Sequence, residues 1–356
     1  MEWGDSGGTE GTVRSNRGVQ LALLSAVLFG AGTPVAKLLL GSVSPWLLAG
    51  LLYCGSGAGL WLIRLLRRSS RVRLTRSELW PFAGAILSGG VVGPVLMMLG
   101  LANMPASGAS LLLNAEALFT ALLAWFVFGE NVDRRVALGM LAILAGAVVL
   151  SVPSGAALGT AWPAVAILGA CLAWALDNNL TRKVAETDAT WLAAVKGSVA
   201  GPVNLVLAFA LGAGLPAAGP VAGALVVGFL AYGISLVLFI VSMRHLGTAR
   251  AGAYFSIAPF FGAILAVGLG DRPTWPLGVA TGFMAVGVWL HLTERHQHEH
   301  THRSVTHEHV HVHDEHHRHV HEQQVPQGVR HSHPHTHEEL THTHRHYPDT
   351  EHRHEH

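Results

Sequence analysis

The chain is predicted to be an all-α membrane protein of ten transmembrane helices, arranged as two inverted five-helix repeats and followed by a disordered histidine-rich tail. Three observations predict it. Ten apolar runs of roughly 20 residues fill the body of the 356-residue chain, the second half of that body echoes the first, and composition changes abruptly near Leu292. A helix of about 20 apolar residues spans about 30 Å of hydrocarbon. A water-soluble core would instead need polar outer faces at helical or strand spacing, which these runs lack.

In chain order the runs lie at 19–40, 45–66, 79–101, 105–128, 133–152, 161–181, 190–211, 217–243, 248–270 and 276–293. The segment before them, residues 1–18, holds three acids and two arginines, and no small-residue cleavage site follows the first run. The first run is therefore expected to remain as a helix rather than leave as a signal peptide. Cys54 and Cys171 fall inside predicted spans, where packed, reduced thiols are expected. Pro34, Pro94 and Pro202 are expected to bend their helices.

Charge sets the orientation. Alternate connections, 41–44, 102–107, 152–160 and 212–219, carry no charge, and only Lys37 and Arg272 lie near that surface. The other ends carry Arg14 and Arg17, the cluster Arg64 to Arg76, Arg134 and Arg135, Arg182 and Lys183, and Arg244 and Arg250. The positive-inside rule places both termini and the tail in the cytoplasm of a cell whose inner (plasma) membrane holds the body. The connections are short, so neighbouring helices are antiparallel.

The repeat is visible in the residues themselves. Leu99–Ala109 lies over Val241–Ala251 at an offset of 142, and the register continues through Phe119 on Phe261 and Ala124 on Ala266. After a one-residue slip Gly129-Glu130 meets Gly270-Asp271, and nearer each start Phe29, Lys37 and Trp46 match Trp174, Arg182 and Trp191. An internal duplication explains the preserved order. Five spans per copy is an odd number, so the copies enter the membrane in opposite senses, as in many alternating-access carriers. The expected divisions are an N-terminal segment 1–18, a first repeat 19–152, a second repeat 161–293 and a tail 294–356.

The stretches Ala109–Glu130 and Gly139–Gly146, with Ile257–Phe260 leading to Gly270-Asp271, resemble signatures of the EamA-type drug/metabolite transporter superfamily. The resemblance covers residues 18–293 and implies ten helices, two inverted five-helix repeats and export of small solutes or ions. Ala117 stands where that family often has a proline, kept here by Pro259; Leu51 stands where it often has an arginine, and Lys196 occupies the matching place in the second copy.

Ionisable groups inside a span are expensive and are the first site candidates. Glu116 sits midway along its run with Thr120 one turn on, a place suited to a carboxyl that alternates between a proton and a cation. Asp177 and Lys196 lie at matching depths on neighbouring antiparallel helices, so a salt bridge is expected, structural or gating in role, with Asn178 nearby. Pro259 withholds a backbone donor from Phe255, and Tyr254 and Ser256 stand beside it. Asn114 points about 160° away from Glu116, so Ser107, Ser110 and Asn114 are read as packing residues.

From His296 to His356, 22 of 61 residues are histidine. The candidate metal ligands are His296, His298, His300 and His302, then His307, His309, His311 and His313, then His331, His333, His335 and His337. Alternate residues of an extended chain share a face, and imidazole suits Ni, Co or Zn. Few apolar residues are present, so no core is expected there.

Together these features predict a secondary, proton-coupled exporter of a divalent transition metal, Ni or Co before Zn, collected by the tail. The alternatives are an exporter of an organic metabolite, amino acid or drug whose tail buffers or senses metal, and a membrane-anchored metal buffer. The chain shows no nucleophile-base pair or phosphate loop, so no enzyme and no required cofactor are expected. The expected partners are the lipid bilayer, the small solute or metal ion and protons, with a homodimer left open and no nucleic acid.

Overall fold

The computed structural model describes residues 7–69, 72, 74–128, 134–151, 161–181, 188–246, 248–292, 297–302, 305–311, 331–337 and 340–345. They fall into a membrane unit within Met1–Glu294 and a tail unit within Arg295–His356. Hydrocarbon offers backbone groups no water, so the apolar runs close their hydrogen bonds internally, as helices. Seven helical segments are long and apolar enough to cross a membrane, and three shorter apolar helices, Ala137–Ser151, Ala258–Gly268 and Trp275–Leu290, occupy the remaining runs. The chain is a multi-pass, all-α membrane protein.

Pass 1 is α1 (Gly7–Leu39) and pass 2 is α2 (Pro45–Leu66), which opens on a proline at a position where its missing N–H costs nothing. Pass 3 starts as α3 (Arg76–Ala85), where the Thr75 N–H donates to Glu78 Oε2 at 2.7 Å in a capping box. It widens into a π-helical segment, Ile86–Val92, and finishes as α4 (Gly93–Ala102). Pass 4 is broken into α5 (Ala106–Leu112) and α6 (Ala115–Phe128), and pass 5 is α7 (Arg134–Ser151).

The second half repeats this plan. Pass 6 is α8 (Trp162–Thr181) and pass 7 is α9 (Ala189–Ala210). Pass 8 runs through α10 (Ala218–Val227), a π-helical segment (Gly228–Ile234) and α11 (Ser235–Leu246). Pass 9 is broken into α12 (Thr248–Phe255) and α13 (Ala258–Gly268), and pass 10 is α14 (Trp275–Leu292). The π segment of pass 8 lies 142 residues beyond that of pass 3, the offset found in the sequence. The matches on Gly129, Glu130 and Arg182 lie outside the described residues.

The packing shows how the copies are related. Pass 2 packs on pass 7, pass 4 on pass 9 and pass 5 on pass 10; the contact of pass 1 with pass 8 is mirrored by pass 6 with pass 3, and that of 1 with 9 by 6 with 4. Exchanging the halves leaves this set unchanged, which is the signature of twofold symmetry. With five passes per half, the twofold relates copies of opposite insertion.

Passes 3 and 8 are not uniform α-helices. Pro94 cannot donate to the carbonyl of Gly90 one turn back, and the Gly93 N–H reaches Ser88 O instead, so an extra residue is accommodated in a wider turn. At Pro259 the helix stops and restarts, which leaves the proline in the first turn of α13, where no N–H is needed. In the tail unit, β1 (Gln297–His302) pairs antiparallel with β4 (Leu340–Arg345), and β2 (Val305–His311) with β3 (His331–His337). The His-X-His alternation has the two-residue period of a strand and interleaves Thr and Val, which favour one. In this register His307 is opposite His335, His309 opposite His333 and His311 opposite His331. His296 and His313 lie outside the described residues.

Glycines let the passes approach backbone to backbone. A Cβ on Gly228 would stand 2.0 Å from Leu52 O, and one on Gly55 2.1 Å from Leu225 O. Gly228→Ala is therefore expected to destabilise the folded chain by about 1–3 kcal/mol, the usual cost of overpacking. Gly278→Ala, with no described atom within 4 Å at an exposed helical position, should not destabilise it. Thermal unfolding of both variants in detergent checks this.

Candidate functional site

The site grows from the wide turn of pass 3. A π turn shifts each donor by one residue, which leaves carbonyls without their usual helical partner. The Gly89 carbonyl accepts hydrogen bonds from Tyr53 Oη at 2.7 Å and Trp174 Nε1 at 2.9 Å, and the Gly90 carbonyl accepts one from Asn204 Nδ2 at 3.1 Å. Passes 2, 6 and 7 are thereby tied to one point of pass 3.

Asp177 follows Trp174 by almost one turn of α8 and is buried against this point. Lys196 Nζ, from α9, meets its carboxylate at 2.6 and 2.7 Å, and Thr181 Oγ1 adds a bond of 2.9 Å. The ion pair expected from matching depths is present. Gly89 makes room for it, since a Cβ there would lie 1.9 Å from Asp177 Oδ2.

Glu116 stands in the first turn of α6, just beyond the break in pass 4. Its Oε1 accepts a hydrogen bond from Asn178 Nδ2 at 2.8 Å. Asn178 is exposed although it lies about 160° around α8 from Leu176, which is also exposed. The two open faces of α8 are opposite, one apolar and turned to lipid, the other polar and carrying the Asn178–Glu116 pair. Thr120 contributes its carbonyl, which accepts from Asn179 Nδ2 at 3.4 Å; its buried hydroxyl has no hydrogen-bond partner among the described residues.

Glu116, Thr120, Asp177, Asn178 and Lys196 therefore gather on passes 4, 6 and 7. Tyr254, Ser256 and Pro259 stand instead at the break of pass 9 in the other copy. A chain of rings runs between the two regions. Tyr53 lies 5.9 Å from Tyr232, Tyr232 5.9 Å from Phe29, and Phe29 5.3 Å from Phe255. Asn114 lies in the break itself and donates to Leu111 O at 2.9 Å.

Sequence reading missed Tyr53, Trp174 and Asn204, because their partners are carbonyls that become available only when the helix widens. The pair Gly89-Gly90 ahead of Pro94 was the available signal. Missed as well was Asp188, which caps α9 through Thr190 N and Trp191 N at 2.9 and 3.2 Å and pairs with Arg64 Nη1 at 2.5 Å. Among the described residues no group of three or more His, Cys, Asp or Glu is placed to hold a metal ion.

Two outcomes follow. Lys196→Met should destabilise by about 3–5 kcal/mol because it strands a buried carboxylate. Adding Asp177→Leu should recover much of that loss, and melting of the single and double variants measures the difference. Burial alone would raise the Asp188 carboxyl, but Arg64 and the two backbone N–H donors outweigh it and hold the group below its ordinary value. The pair's stabilisation is therefore present above the ordinary aspartate pKa of about 3.9 and is lost as pH falls through the lower folded value. Asp188→Asn should lower the melting temperature near neutrality, and the difference from the parent chain should vanish in strong acid.

Comparison with known proteins agrees with this geometry. A model of the EamA-like transporter family matches residues 16–152 and again 161–293. An uncharacterized transporter of Methanothermobacter thermautotrophicus is 29% identical over 265 residues, covering 68% of this chain and 76% of its own. The uncharacterized inner membrane transporter YedA of Escherichia coli K12 is 24% identical over 257 residues, covering 69% and 80%. A solved crystal structure superimposes with a TM-score of 0.58 at 20% identity, covering 76% of this chain and 95% of the other, and shares the fold. Two successive matches spanning most of the body, over ten helical passes in two equivalent halves, make this chain a member of the EamA-like transporter family.

Proposed function

We propose that this transporter is a secondary exporter in which Glu116 exchanges a proton for a divalent transition-metal ion, Ni or Co before Zn, supplied by the histidine tail. The observation that carries the proposal is the division of labour between two carboxyls. Asp177 already has its charge matched by Lys196, whereas the described partner of Glu116 is the neutral amide of Asn178. A carboxylate in a span whose hydrogen-bond partner is neutral gains most from taking up a proton or a positively charged substrate. The 22 histidines from His296 onward supply imidazole in bulk, and a tethered ligand raises the local metal concentration. The excess of Arg and Lys on alternate connections supports a cytoplasmic tail and an inner-membrane location.

A second reading has its own support. The described residues hold no ready metal cluster, and Lys196, Asp177, Asn178 and the exposed Tyr254 suit a small zwitterionic solute. The tail would then buffer or sense metal.

Uptake of radiolabelled Ni and Co into inside-out vesicles separates the two. Glu116→Gln should reduce uptake to the level of empty vesicles. Deleting residues 296–356 should raise the half-saturating metal concentration by about tenfold or more while leaving the maximal rate, as loss of a tethered ligand predicts. Equal accumulation in all vesicles, empty ones included, overturns metal export and leaves the organic-solute reading.

A further inference from the structure

Passes 4 and 9 meet along only half their length. The α5 half of pass 4 packs on the α13 half of pass 9. There a Cβ on Gly262 would lie 2.7 Å from both Ser110 Oγ and Gly30 O. Beyond the two breaks the halves separate: α6 packs on α7 and α8, α12 packs on α1, α11 and α14, and these two make no more than glancing contact with each other. Glu116 and Tyr254 stand on the separated side, next to the breaks.

The closed side carries opposite charges set on opposite helix ends. Lys37, in the last turn of α1, donates through Nζ to Leu101 O at 2.7 Å and Ala102 O at 3.0 Å, the carbonyl end of α4. Asp271, brought round by Gly270 at φ +115°, accepts the Ser107 N–H at 2.8 Å, in the first turn of α5. A cation on a helix C-terminus and an anion on a helix N-terminus are each favoured by the helix dipole. The two grip the turn between passes 3 and 4 from either side, and the Asp271 contact crosses from one repeat to the other.

We propose that Lys37 and Asp271 form an ionic clasp that holds this mouth shut, so that the structure is the state open at the opposite end, where Glu116 and Asn178 are reached. The proposal rests on the transporter reading and is independent of the substrate. Releasing either grip removes a charge-assisted contact present only when this mouth is closed, so the balance of states shifts toward opening here. No covalent step is involved.

Cysteine accessibility tests it in the full-length chain, in a Cys54→Ala, Cys171→Ala background. Ala109→Cys, fully buried in α5, reports the clasped mouth, and Asn178→Cys reports the other. Each is treated with a membrane-impermeant methanethiosulfonate from either face of sealed, oriented vesicles. With the clasp intact, Ala109→Cys should resist reagent from the Lys37 face while Asn178→Cys reacts from the opposite face. Lys37→Met or Asp271→Asn should speed modification of Ala109→Cys by about tenfold or more, the change expected for losing one charge-assisted hydrogen bond, and slow that of Asn178→Cys. Lys37→Arg should keep the parent pattern. Unchanged modification in whichever of the two clasp variants folds, or reaction of Asn178→Cys from the Lys37 face in the parent chain, overturns the clasp. Accessibility that shifts as stated while no solute moves counts against transport alone.

Discussion

Every backbone donor and acceptor inside hydrocarbon must find a partner within the protein, and the architecture of the site follows from how this chain meets that demand where its helices are irregular. The wide turn of pass 3 releases the carbonyls of Gly89 and Gly90, and three side chains from three other passes answer them. Those answers fix where passes 2, 6 and 7 stand around pass 3. Asp177 and Lys196 are then brought together because their helices already converge there.

The same logic explains the coexistence of two carboxyls with different standing. An ion pair buried as deeply as Asp177–Lys196 gains little net stability, since desolvating both charges offsets most of their attraction. It does hold α8 and α9 in one relative position, with Thr181 completing the carboxylate's shell. Glu116 is set against a neutral amide on the polar, open face of α8. One carboxyl is matched by an ammonium and the other by an amide.

Much of this was legible in the residues. Run lengths located the ten passes, and matched depths on 161–181 and 190–211 paired Asp177 with Lys196. The offset of 142 between Leu99–Ala109 and Val241–Ala251 foretold the two π segments' spacing but not their existence. Hydropathy is blind to whether a turn holds 3.6 or more residues, because the side chains remain apolar either way. Pro259 announced the break in pass 9, whereas pass 4 breaks at Leu113-Asn114 without any proline. There tertiary packing decides, and no local signal marks it. In the tail, alternating imidazoles suit both a solvated coil and a strand, so their spacing alone does not choose between the two.

The π segments also carry a history. A one-residue excess at the same register in both copies is most simply inherited, so the ancestral five-pass unit already possessed the widened turn before the gene doubled. In the first copy that turn came to abut a carboxylate and an ammonium; in the second, where Ser25 and Ser235 exchange hydrogen bonds, it abuts hydroxyls. The two halves thus differ in the neighbours of a shared irregularity rather than in the irregularity itself.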